Sequence, residues 1–197
     1  MHVRFSMVIG MPVVEDQADT TLGIVSGILL HPDTGVVTGF FVRDLRIFGG
    51  SEHFLGVADI IGWGTVIHIR SEDRLVLPED IVRLSALLQD SRRILGQKIV
   101  TKKTKRTIGV CQDVQFDTRH FQLEWLFPRA WWFFAKTPVP ASDIILVTKD
   151  AILIREQTML QPALKGIEEL EMSLPDVLPA TTMQYQQQHK SDNLTSH

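Results

Sequence analysis

The chain has a single cysteine in 197 residues, Cys111, so no intrachain disulfide can form, and a reducing, cytoplasmic setting fits it. Long hydrophobic runs are missing too. No stretch approaches the roughly 18 uncharged apolar residues of a membrane span, and the richest window, Trp125 to Ala135, contains Pro128 and Arg129. The apolar run after Met1-His2-Val3-Arg4 is interrupted by Gly10 and Pro12 and has a counterpart at residues 94–100, so it reads as a first strand and not as a secretory signal. An excess of either charge is absent: 20 Lys and Arg against 23 Asp and Glu leave a net charge of −3. Such a chain has no global field for polyanions, and any nucleic-acid contact must rest on a local patch.

Signatures of chemistry are thin. His31, His53, His68 and His120 are scattered without paired spacing or companion cysteines, whereas a zinc site needs about four converging ligands. Cys111 lies in an apolar, strand-like run and reads as a buried, inert thiol. Gly62-Trp63-Gly64 lacks the third glycine and the following helix of a phosphate loop. We expect no catalytic residues, no cofactor and no metal, and read the chain as non-enzymatic.

What the chain does have is an internal repeat at a spacing of about 86 residues. Ile9-Gly10 returns as Leu95-Gly96, Leu22-Gly23-Ile24-Val25 as Ile108-Gly109-Val110-Cys111, and Arg43 as Arg129. After a short contraction, Ala58-Asp59-Ile60-Ile61 returns as Ser142-Asp143-Ile144-Ile145. Within the first copy, runs rich in Val, Ile and Phe at Val8–Val14, Gly23–His31, Val36–Val42, Phe54–Ile61 and Thr65–Arg70 predict short strands. The second copy predicts strands at Leu95–Thr101, Ile108–Phe116, Phe121–Phe127, Val139–Val147 and Ala151–Arg155. His31-Pro32-Asp33-Thr34-Gly35 predicts a turn, with proline presetting φ, aspartate bonding the following backbone and glycine accepting a positive φ at the exit.

Between the copies, Pro78-Glu79-Asp80 and the stripe Ile81, Leu84, Leu87, Leu88 predict a packed connecting helix over 78–93, with Arg92 and Arg93 at its C-terminal end. The expected organisation is therefore mainly β: two tandem small β-barrels, residues 1–77 and 94–160, joined by one α-helix. Residues 161–197 follow as a short helix and then a polar tail, expected to be disordered.

The starting Gly10–Val13, then Leu22-Gly23-Ile24-Val25, the apolar Ile28–Leu30, the His31–Gly35 turn and the closing Asp59-Ile60-Ile61 resemble the PRC-barrel family. The second copy carries the same pattern in Gly96–Ile99, Ile108-Gly109-Val110, residues 113–117 and Asp143-Ile144-Ile145. The resemblance covers residues 5–77 and 93–158, and the first copy departs from it in having Gly27 where the second has Asp113. It implies small barrels used as docking modules, as in the cytoplasmic domain of the photosynthetic reaction-centre H subunit and the C-terminal domain of a ribosome maturation factor. Fold-level likeness does not choose between those uses.

Three features bear on partners. From Ser91 to Gln112 there is no acidic residue, while Lys102, Lys103, Lys105 and Arg106 crowd one predicted turn. A solvated turn is the plain reading and a phosphate-binding patch the sharper one. Trp131-Trp132-Phe133-Phe134 cannot all enter one small core, because successive strand residues face opposite ways. They are expected to be partly buried between the units or to meet a protein partner. At the repeat offset, Asp16 answers to Lys102 and Asp19 to Lys105; exposed turns tolerate almost any charge, and the sharper reading is that the two turns face each other or join successive molecules head to tail. Asp59 and Asp143 are expected to cap turns by accepting backbone N–H groups. The leading functional expectation is a binding or scaffold protein; the alternative is an RNA- or ribosome-associated factor acting through the basic hairpin.

Overall fold

β-Branched and aromatic runs, each closed by turn residues, become strands in both halves of the chain. The computed structural model describes residues 1–16, 20–45, 50–129 and 137–156, and it is mainly β, with a sheet curled into half a barrel. A short strand β1 (His2–Arg4) and a single helical turn α1 (Phe5–Val8) come first. The first sheet then contains β2 (Pro12–Glu15), β3 (Thr20–Leu30), β4 (Val37–Arg43), β5 (Glu52–Gly56), β6 (Ile60–Trp63), β7 (Ile67–Ile69) and β8 (Leu75–Val76), in the order β6-β7-β2-β3-β4-β5-β8. After a single helical turn α2 (Ser85–Leu88), the second contains β9 (Lys98–Thr101), β10 (Thr107–Asp117), β11 (Gln122–Arg129), β12 (Val139–Pro140), β13 (Ile144–Val147) and β14 (Ala151–Ile154), in the order β12-β11-β10-β9-β14-β13. In each, one parallel pair (β2 with β7, β9 with β14) sits among antiparallel ones.

The backbone contacts recur at the sequence offset. Gly10 and Gly96 share a left-handed φ of 81° and 80°, and their N–H groups donate to Val25 and Cys111 carbonyls at 2.8 Å. Val13 pairs with Gly23 as Ile99 pairs with Gly109, and bulges fall between Val25 and Gly27 and between Cys111 and Asp113.

One core serves both sheets. Buried Val13, Phe40 and Ile67 of the first belong to the same apolar cluster as Ile99, Phe116 and Ile152 of the second. Aromatic rings make the joint: Phe116 lies 5.9 Å from Phe40 and 6.0 Å from Trp63, and Phe121 lies 5.9 Å from Trp63. Strand β1 joins the second sheet, pairing with Gln115–Asp117. The His31–Gly35 turn bends as expected, with Gly35 at φ 70°. Its tip docks on β11: Gly35 O accepts from Leu123 N–H at 2.9 Å, and Gln122 Nε2 donates to Thr34 O at 2.8 Å. Residues Met1–Met159 are accordingly one compact unit.

Several expectations are corrected. The connecting helix over 78–93 is absent as a continuous element. Its place is taken by 3-10 turns at Pro78–Asp80 and Val82–Leu84 and by α2. The stripe Ile81, Leu84, Leu87, Leu88 is only half-buried, so packing contributes little to holding a long helix. Asp90 then accepts the Arg92 N–H at 2.8 Å, a local bond that competes with helix continuation. The expected strands Phe54–Ile61 and Val139–Val147 are each broken by a 3-10 turn, at Val57–Asp59 and Ala141–Asp143.

Candidate functional site

The basic turn joins β9 to β10, and backbone and hydroxyl bonds fix its shape. Thr101 and Arg106 close the hairpin, with Thr101 N–H donating to Arg106 O at 3.0 Å and Arg106 N–H to Thr101 Oγ1 at 3.0 Å. The hydroxyls of Thr101 and Thr104 meet at 2.7 Å, and Glu156 Oε1 accepts the Thr104 N–H at 3.1 Å. Lys105 holds φ 56°, a region a lysine rarely adopts. Lys102, Lys103, Lys105 and Arg106 are all exposed, and none is ion-paired among the described residues.

Arg92, in the same acid-free stretch, does not join this patch. It is turned away, clamped by Asp33 at 2.5 and 2.9 Å and by Asp90 at 2.7 Å. The guanidinium holds both carboxyls below the usual carboxylate range. Asp33 thus ties the hairpin tip to the linking segment, a use the sequence reading missed in favour of a local backbone bond. The neighbouring open groove, about 310 Å³, is walled by Pro32, Gly35, Leu123, Ser142, Ile145 and Leu146, with Asp33 as its single carboxylate.

Other singled-out residues are placed as follows. Trp131, Trp132, Phe133 and Phe134, residue Asp19, and the expected helix and tail over 161–197 lie outside the described residues. Asp16 sits 3.6 Å from His68 Nδ1, and no ion pair joins it to Lys102 among the described residues. Asp59 and Asp143 each end a 3-10 turn but accept no backbone N–H among the described residues. Asp59 lies 3.5 Å from Arg74, and Asp143 uses its carbonyl to accept the Arg155 N–H at 3.0 Å. Cys111 is fully buried, and burial pushes its thiol up to about 12. His31, His53, His68 and His120 belong to no group of three His, Cys, Asp or Glu side chains able to hold a metal, among the described residues.

The most perturbed carboxyl is one that sequence reasoning did not single out. Asp117 accepts N–H bonds from Arg119 and His120, both 3.2 Å, from His120 Nδ1 at 2.6 Å and from the Met1 amino group at 3.1 Å. Chiefly the Arg119 bond holds it well below its ordinary value, against burial. A depressed folded-state value gives a contribution that is fully present above the unfolded-state value near 4 and is lost only as pH falls on through the lower folded-state value. Asp117→Asn should therefore melt below the parent at pH 7, with the gap narrowing as pH falls below 4 but not closing by pH 3. An equal gap at both pH values in thermal melts would contradict this.

No helix among the described residues is long and apolar enough to cross a membrane. No protein-family model matches the sequence, and no curated protein matches it.

Proposed function

We propose that this chain is a non-enzymatic, cytoplasmic docking protein made of two tandem PRC-barrel-like units that hold a protein partner. The repeated hydrogen bonds at Gly10 and Gly96, and the matching sheet orders, support the tandem reading. One observation carries the docking reading. One terminal strand of each sheet, β6 and β13, exposes an isoleucine at an equivalent bulge, Ile61 at 48% and Ile145 at 39%. Edge strands with exposed branched side chains are templates for pairing with another chain, and soluble proteins usually blunt them with charge.

Substituting both, Ile61→Lys with Ile145→Lys, should leave the melting temperature within a few degrees of the parent, because exposed positions contribute little to stability. Quantitative affinity capture from cells should show partners of the parent lost from the double variant. An unchanged set of captured proteins would refute edge docking. Self-association through the same edges would instead be lost from sedimentation profiles.

A second reading, RNA association through the basic hairpin, is favoured by the exposure of Lys102, Lys103, Lys105 and Arg106 on one ordered turn. Its mark is steep salt-dependent binding that disappears when the four are neutralised.

A further inference from the structure

We infer that the basic hairpin and Arg155 together form a composite surface for the phosphate backbone of duplex RNA. This rests on the second reading above and adds to it a residue that is remote in sequence. The parallel pairing of β14 with β9 sets Ile154 beside Thr101, and the Lys102 N–H donates to Ile154 O at 2.9 Å. Arg155, the next residue, therefore leaves the sheet at the root of the hairpin. It is exposed and has no ion-pair partner among the described residues, and its backbone is fixed by the bond to Asp143 O at 3.0 Å. Five exposed cations, Lys102, Lys103, Lys105, Arg106 and Arg155, thus share one end of the second sheet.

Three details favour a duplex backbone over other anions. The hairpin is held by its own threonine bonds, so the cations are presented without ordering a loop on binding. No aromatic residue lies between Lys102 and Arg106, which removes the stacking platform that single strands use. The turn also lacks an apolar side chain to insert into a lipid surface. Among the described residues, Glu156 brings a carboxylate to the hairpin, where its Oε1 accepts the Thr104 N–H and its charge offsets part of the cationic patch. Lys105 occupies a backbone region that favours glycine.

The test is fluorescence anisotropy of a labelled RNA duplex from 50 to 200 mM KCl, with a single-stranded RNA of equal length and vesicles of anionic lipid as the other arms. Each neutralised phosphate adds about −0.9 to the slope of log affinity on log salt for a duplex. Five contacts should therefore weaken binding about 500-fold over this range, and four about 150-fold. Arg155→Gln should show the shallower slope with an unchanged melting temperature. Lys105→Gly should do the same while melting at or above the parent, an outcome that a purely structural role does not produce. A steep parental slope that Arg155→Gln leaves unaltered would remove Arg155 and overturn the composite surface while leaving the hairpin reading intact. Parental binding that is insensitive to salt, or seen only with vesicles, would overturn both, and binding to single strands alone would overturn the duplex surface while leaving the hairpin reading intact.

Discussion

Replacing Phe116 with alanine should destabilise the protein by about 3–5 kcal/mol and lower the stability of both sheets together. The ring is fully buried on β10, and its neighbours are Phe40 of β4 at 5.9 Å and Trp63 of β6 at 6.0 Å, so its removal opens a cavity between the sheets and not inside either one. Partial collapse is restricted, because Phe40 and Trp63 also pack on each other at 5.5 Å and on Phe121. A loss of this size is a large fraction of the roughly 5–15 kcal/mol that holds a domain folded. Urea unfolding followed by far-ultraviolet circular dichroism and by tryptophan fluorescence should give one coincident transition for Phe116→Ala, shifted as a whole. Two separated transitions, with only one displaced, would mean that the repeats fold independently and that the shared core contributes little.

That shared core marks the limit of what a linear reading reveals. Local chemistry was legible: Val, Ile and Phe runs placed the strands to within a few residues, and Gly35 takes the positive φ that its turn motif requires. The contacts between remote segments were not. Phe40, Trp63, Phe116 and Phe121 are dispersed along the chain, so attention fell on the adjacent aromatics at 131–134. Arg155 was invisible as part of the basic site for the same reason, since only the β9–β14 register brings it to Lys102. The connecting helix failed in the opposite direction. Its stripe at Ile81, Leu84, Leu87 and Leu88 had the right period, but periodicity does not guarantee a surface to bury against, and the segment settled into separate turns. Asp33 and Asp117 follow the same logic. Asp33 is held by the remote Arg92, and Asp117 adds the Met1 amino group to its local bonds from Arg119 and His120.

The glycines give the second large expected effect, and they separate two causes. Gly23 and Gly109 lie where β3 crosses β4 and β10 crosses β11 at close range. A Cβ on Gly23 would come within 2.4 Å of Arg43 O and 2.9 Å of Val42 Cγ1, and one on Gly109 within 2.7 Å of Arg129 O. The obstacle is backbone of a hydrogen-bonded neighbour, which moves only if the ladder moves. Gly23→Ala should cost about 3 kcal/mol and Gly109→Ala about 2, in the range of overpacked interiors. Gly10 and Gly96 have open space around a would-be Cβ, and their constraint is the left-handed φ alone. Alanine there should cost about 1 kcal/mol. Urea midpoints for the four single variants should therefore order as Gly23, then Gly109, then Gly10 and Gly96 together. If Gly96→Ala is as damaging as Gly23→Ala, the close strand approach is not what fixes the repeated glycine, and the shared geometry of the two sheets would need another origin.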